Sequence, residues 1–276
     1  MDPHISQPTS PWAMVKTVWR HRTLITQMTV REVVGRYRGS FMGLTWSFFN
    51  PLLMLLIYTF VFTTVFHSRW GTGQSAGKVD FAIVLFVGMI VYAIFAENIN
   101  RAPMLIVMNV NYVKRVVFPL EVLPVIAMGA SIFHCFISLL VWLLAYLFLV
   151  GVPHLTALLF PLVILPFVIG ILGATWFLAS LGVFLRDVAQ TTGIITTALM
   201  FLAPVFYSID NLPPSFKAII LVNPATFIIE QARYVLVWGR APDWLGLGVY
   251  TLISATVAWL GYWWFQKTRK GFADVL

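Results

Sequence analysis

Six stretches of this chain, 44–66, 81–99, 122–150, 155–185, 191–206 and 245–265, run almost without charge, and Glu97, near the end of the second, is the only Asp, Glu, Lys or Arg in them. A bilayer span needs about 20 apolar residues. The fifth stretch is short, while the third and fourth are long enough to tilt or project beyond the hydrocarbon. All six are continuously apolar, without the alternation of a lipid-facing strand, so their backbone groups must be satisfied inside helices and not in a barrel. With 60% of residues hydrophobic and 10% charged, against roughly a quarter charged in soluble domains, most of the surface cannot face water. The chain is read as an all-α integral membrane protein with six transmembrane helices. Pro161 and Pro166 predict a kink near the start of the fourth.

Basic residues set the expected orientation. With the N-terminus inside, the inner segments hold thirteen Lys and Arg (six in 1–44, three in 100–121, Arg186, three in 267–276) and the outer ones five, namely Arg69, Lys78, Lys217, Arg233 and Arg240. This favours both termini inside. Trp259, Trp263 and Trp264, followed by Lys267, Arg269 and Lys270, read as an interfacial belt and anchor at the inner end of the last span. The net charge of +8 therefore belongs to membrane flanks and predicts no nucleic-acid partner. Cys135, the only cysteine, excludes an intrachain disulfide, and the polar start of the chain predicts no removable signal peptide.

Between the fifth and sixth spans, residues 207–244 hold a Pro-rich turn, an apolar piece at 218–222, an Asn223-Pro224 break and a helical piece at 225–238. Neither piece can cross a bilayer alone. They are expected as short helices on the outer surface or as a re-entrant pair, with Glu230 and Arg233 spaced to pair. Just before the first span, residues 31–51 read as a basic amphipathic segment running into the membrane. Val30, Val33, Val34, Tyr37, Phe41 and Leu44 form one stripe at helical spacing, while Arg31, Glu32, Gly35, Arg36, Arg38 and Gly39 occupy the remaining circumference. This predicts a helix in the headgroup plane with its arginines in phosphate and water, or simply a basic juxtamembrane anchor.

Much chemistry is missing. The run 71–78, GTGQSAGK, has the wrong glycine spacing for a phosphate loop and Val79 where Ser or Thr should bind magnesium. His134 and Cys135 are adjacent and diverge on a helix, so a packed histidine is favoured over a metal ligand. The span interiors lack the ionisable residues that an ion-coupled carrier uses, so energy is expected from a partner. The spans are rich in aromatics instead. Tyr58, Phe62 and Phe66 recur at four-residue spacing, and Phe81, Tyr92 and Phe95 share roughly one face beside Gly88. They read as helix packing or as the wall of a glycan conduit. Gly170, Gly173, Ala174, Ala179, Ser180 and Gly182 offer small surfaces for close helix contact.

The order Arg36-Tyr37-Arg38-Gly39-Ser40, Gly43, Trp46 and Asn50-Pro51, then 109–124 (NVNYVKRVVFPLEVLP), Arg186-Asp187 and Asn223-Pro224, resembles the membrane subunit of ABC-2-type polysaccharide exporters over nearly the whole chain. These permeases move O-antigen, capsule or teichoic-acid chains. Leu120 departs from the polar or basic residue frequent after Phe-Pro in such proteins. The resemblance implies a cytoplasmic N-terminal segment with an interface helix (1–43) and a six-span domain (44–276) in a bacterial inner membrane. Two copies would form a homodimeric channel above two ATPase subunits that carry ATP and Mg; no cofactor is expected on this chain, and no catalytic or metal site. A coupling segment at 109–118 would dock on the ATPase through Asn111, Tyr112, Lys114 and Arg115. Arg31, Arg36, Tyr37 and Arg38 would meet the pyrophosphate of a lipid-linked polysaccharide at an inner lateral opening, among membrane lipids. Tyr58, Phe62, Phe66, Phe81, Tyr92 and Phe95 would line the glycan channel, and the 207–244 hairpin would be an outer gate with Tyr207, Asn223 and Pro224 at its breaks. An ABC-2 exporter of a small amphiphile or lipooligosaccharide, and a pore or scaffold without ATP coupling, remain alternatives.

Overall fold

A computed structural model describes residues 9–65, 70, 78–113 and 118–276. Among them the regular structure is entirely helical. Two helices, α1 (Pro11–Arg20) and α2 (Arg22–Tyr37), precede the first long apolar helix. Then come α3 (Trp46–Thr59), which ends in a π-helical turn over Phe60–Val65, α4 (Lys78–Arg101), the single-turn α5 (Val110–Val113) and α6 (Leu123–Leu149). The chain continues through α7 (Phe160–Phe184), α8 (Val188–Phe201), α9 (Pro214–Val222), α10 (Pro224–Leu236), α11 (Trp244–Thr268) and α12 (Phe272–Val275).

Among the described residues, five helical stretches are long and apolar enough to span: Gly43–Phe62, Phe81–Met104, Leu120–Leu149, Leu155–Phe184 and Trp244–Val275. A sixth crossing is reached if α9 and α10 count as one span, although they meet at 97°. The short fifth run of the sequence is α8, whose 14 residues extend about 21 Å, less than the ~30 Å hydrocarbon core. The second span is the most enclosed. It packs against α3, α6, α7, α8 and α10, and Ile83, Val84, Leu85, Val87, Ile90 and Val91 are all buried. A second cluster at the other end joins Leu105, Ile106, Leu123, Ile126, Trp176 and Tyr262 with Met14, Leu24 and Met28 of the N-terminal helices.

The break between α9 and α10 follows from two residues. Asn223 is extended and caps α10, its side-chain oxygen accepting from the Ala225 N–H at 3.0 Å. Pro224 occupies the first helical position, where its missing N–H costs nothing. Asn223 also donates to the Leu199 carbonyl at 2.8 Å and so ties the bend to α8. Asn223→Ala is expected to cost about 1 kcal/mol for the lost cap, plus the stranded buried groups. A lower thermal midpoint of the solubilised chain, with Asn223→Asp retaining the cap, is the measurement that checks it.

Helix α2 differs from the expected amphipathic stripe. It stops at Tyr37, and Gly39 (φ +86°) and Gly43 (φ +53°) take left-handed conformations that residues with a Cβ rarely adopt. The Ser40 hydroxyl fixes this turn, donating to the Tyr37 carbonyl and accepting from the Gly43 N–H, both at 3.0 Å. Phe41 and Leu44 therefore leave the helix, and both are exposed. Val33 is buried and Thr29 abuts Gly129 of α6, while Val30 and Val34 stay exposed. One face of α2 is thus committed to protein. Helix α1 is not among the expectations from sequence, yet Ser10 as cap and Pro11 at the first helical position mark its start; the helix exposes Trp12, Val15 and Trp19 and sets Arg22 of α2 5.1 Å over the Trp19 ring.

Candidate substrate cavity

Where α2 ends, it meets α3, α4 and α6 around a cavity of about 240 Å³. Arg36 and Tyr37 line it from α2, Ser47, Asn50, Pro51 and Met54 from α3, Phe86, Met89, Ile90, Ala93 and Glu97 from α4, and His134 and Ser138 from α6. Its polarity is graded. Arg36, Glu97 and His134 form a charged mouth, and along α4 the lining turns apolar toward Phe86, about 16 Å away at 1.5 Å per residue. Pro51 has no N–H, so the Ser47 carbonyl lacks its helical donor.

The mouth is built on two Glu-x-x-x-Arg pairs at helical i, i+4 spacing: Glu32 and Arg36 on α2, Glu97 and Arg101 on α4. They cross-pair between helices. Arg36 Nη2 lies 2.5 Å from Glu97 Oε1, and Arg101 Nη2 pairs with Glu32 Oε1. Glu97 Oε1 is also 3.7 Å from Arg101 Nη1. His134 Nδ1 sits 3.3 Å from Glu97 Oε2 and 3.1 Å from Arg36 Nη1. With its proton on Nδ1, His134 donates to Glu97 and its Nε2 accepts from the Tyr37 hydroxyl at 3.3 Å. Burial, followed in size by opposing effects of Arg36 and Glu97, raises the Tyr37 phenol above its ordinary pKa, so it stays a donor at neutral pH.

Of the four residues assigned to a lipid head, the structure brings Arg36 and Tyr37 to the cavity. Arg31 and Arg38 are exposed and make no ion pair among the described residues. Glu97 and His134 were not assigned to this site by the sequence. The repeated Glu-x-x-x-Arg spacing is the signal for the first; nothing local signals His134.

The aromatic set divides. Phe81, Tyr92 and Phe95 are buried in the chain's own core, where Phe95 stacks on Phe167 and Tyr92 donates to the Thr196 carbonyl. They do not form an open wall, because α4 is enclosed by its neighbours. Tyr58 and Phe62 are half-buried and gather with Phe206, the Phe62 and Phe206 rings stacking at 5.6 Å. Phe66 lies outside the described residues, as do Lys114, Arg115 and most of 71–78.

In the 109–118 segment, Asn111 is exposed, and Tyr112 stacks on Phe118 with centroids 4.3 Å apart. Its end, Phe118, and the following Glu121 are clasped to the last span and to α7. Arg269 donates to Glu121 at 2.5 Å and to the Phe118 carbonyl at 3.1 Å, and Trp176 donates to the Glu121 carbonyl at 2.9 Å. Within 207–244, Tyr207 donates to the Phe201 carbonyl at 3.0 Å, Asn223 is buried at the bend and Pro224 is exposed. Glu230 and Arg233 pair at 2.7 Å, and Arg233 is fully buried.

The family model for ABC-2 type transporters matches residues 23–237. An O-antigen export system permease protein RfbA of Myxococcus xanthus is 26% identical over 263 residues, covering 95% of this chain and 98% of the relative. Two such RfbA proteins of Klebsiella pneumoniae are 27% and 26% identical over 258 residues, each covering 92% of this chain and 95% of the relative.

Proposed function

The chain belongs to the ABC-2 type transporter family, and from that premise we propose that it is the permease subunit of an exporter of a lipid-linked, O-antigen-like polysaccharide. ATP hydrolysis falls to a separate ATPase subunit. The observation that carries the reading is the graded cavity. An arginine at the mouth and an apolar run behind it suit a phosphate joined to an isoprenoid-like chain, and guanidinium groups suit multidentate phosphate contacts. The relatives' names, covering almost the whole chain, point to polysaccharide as the cargo.

In this reading two copies form the channel above two ATPase subunits in a bacterial inner membrane. Both termini face the cytoplasm, in line with the excess of Lys and Arg on that side. The 109–118 segment, with Asn111, Tyr112, Lys114 and Arg115, contacts the ATPase, and the Arg269 clasp passes its movement to the last span. The bent pair α9–α10 gates the outer side around Tyr207, Asn223 and Pro224. Tyr58 and Phe62, half-buried, offer ring faces to a passing glycan, whereas the buried Phe81, Tyr92 and Phe95 support the wall from behind.

Arg36→Ala is the direct test. A charge-assisted hydrogen bond contributes about 1.5–3 kcal/mol, so affinity for a diphosphate head should fall roughly 10- to 150-fold. Surface polysaccharide should fall with it, while the chain still reaches the membrane and co-purifies with its ATPase. Undiminished polysaccharide in cells carrying Arg36→Ala would remove the arginine from substrate recognition. Recovery of the wild-type chain from native membranes without an ATPase, even after mild crosslinking, would overturn the exporter reading.

A further inference from the structure

We propose that Glu97 is a resident stand-in for the substrate phosphate, holding Arg36 until an anionic head displaces it and then moving onto Arg101. The inference rests on the reading of the cavity as a phosphate site.

Charge comes first. Glu32, Arg36, Glu97 and Arg101 make a square of two cations and two anions, and His134 adds none when neutral. Such a square is balanced, and Glu97 lines the same cavity as Arg36. An arriving phosphate must therefore take Arg36 from Glu97, since the two anions repel at this range. Arg36 is open to exchange because its fork is not fully used by Glu97. Only one of its terminal nitrogens engages the carboxylate, the other faces His134, and the side chain is 37% exposed. A phosphate can take the guanidinium fork through two parallel bonds, the stronger arrangement.

The displaced carboxylate has a place to go. Arg101 Nη1 is buried without a hydrogen-bond partner and lies 3.7 Å from Glu97 Oε1. A shift of Glu97 toward Arg101 satisfies that donor, and His134 Nδ1 remains beside the carboxylate. The exchange replaces an inter-helix tie, α2 to α4, by an i, i+4 pair within α4. Because α4 leads through 102–109 into α5, loading of the mouth removes one of the two ion-pair ties between α2 and the helix that precedes the 109–118 segment, the Glu32–Arg101 pair remaining.

The test is equilibrium binding to the full chain in lipid nanodiscs, with farnesyl diphosphate as probe and with farnesol and inorganic diphosphate as controls. Glu97→Gln should bind farnesyl diphosphate about tenfold more tightly than the wild type, with farnesol binding unchanged. Glu97→Asp, whose shorter arm draws the carboxylate back from Arg36, should give a smaller gain and decides the matter if the Gln variant does not fold. Arg36→Ala added to either should cancel the gain. Equal or weaker binding of farnesyl diphosphate by the Glu97 variants, with the wild type still preferring it to farnesol, would refute the stand-in and leave the phosphate site intact. If the wild type and both variants bind farnesol as tightly as farnesyl diphosphate, the phosphate site itself fails, and the stand-in with it. Inorganic diphosphate that binds as tightly as the lipid form, with the same gain in Glu97→Gln, upholds the stand-in and makes the ligand a free anion.

Discussion

Gly261→Leu should abolish the folded chain, while Gly248→Ala on the same helix should leave it as stable or slightly more so. The contrast comes from what each new Cβ meets. At Gly261 it would lie 2.0 Å from the Gly173 carbonyl oxygen, and at Gly173 it would lie 2.4 Å from the Val257 carbonyl oxygen and 2.6 Å from the Ala258 backbone. These obstacles are backbone, so no rotamer change relieves them. α7 and α11 must move apart along the most extensive helix contact in the molecule. Overpacking usually costs about 1–3 kcal/mol, and a leucine against two backbones should exceed that. Beside Gly248 nothing lies within 4 Å, and Ala is favoured over Gly in a helix by up to about 1 kcal/mol. Thermal unfolding of the solubilised chain, followed by size-exclusion, should rank Gly248→Ala at or above wild type. Gly261→Ala and Gly173→Ala should fall well below it, and Gly261→Leu should give no monodisperse peak. A normal peak for Gly261→Leu would mean that this contact does not hold the two spans together.

How far the sequence reaches is visible in these residues. The small residues of the fourth span predict a close helix contact, because small side chains are what lets membrane helices approach. Their partners are not predicted, since Gly261 belongs to a span 88 positions away and Gly182 abuts Pro103. Apolar runs give the membrane class and the five long helices directly, because the bilayer fixes their length, whereas the run at 191–206 becomes the short α8 and any sixth crossing needs the bent pair α9–α10. The turn at 38–43 is written in Gly39, Ser40 and Gly43, but a stripe drawn at constant helical period runs through it and misplaces Phe41 and Leu44. Glu97 carries its signal in a spacing shared with Glu32, whereas only the packing of α6 against α2 and α4 brings His134 to the same carboxylate. The aromatic repeat is ambiguous for a physical reason. A ring that packs a core and a ring that lines a passage leave the same pattern; in the fold Phe95 is enclosed by other helices while Tyr58 is half-buried.

Arg233 marks the largest departure from the sequence reading, and its removal should be the second severe substitution. Counted by charge, it belongs to an outer loop; in the fold its side chain is completely buried. It reaches two other segments and a carboxylate on its own helix. Nε donates to the Val84 carbonyl of α4 at 3.3 Å, Nη2 to the Val205 carbonyl after α8 at 3.1 Å, and Nη1 to Glu230 at 2.7 Å. The guanidinium also lies 4.3 Å over the Trp70 ring. Gly88 opens the space, since a Cβ there would come within 2.9 Å of Nη2. Breaking a buried pair by removing one partner costs about 3–5 kcal/mol, and Arg233→Met should fall in that range because it also takes the donor from the Val205 carbonyl, which lies outside a helix. Arg233→Lys should rescue little: one ammonium on a flexible stem cannot reach three acceptors held in a planar fork. Arg233→Met with Glu230→Leu should recover part of the loss, through non-additive coupling between the two positions. Stability and export should decline together across this set, since the same guanidinium holds the bent pair against α4 and the end of α8. Export lost from an Arg233→Met chain that unfolds like wild type would instead make the guanidinium part of the transport path.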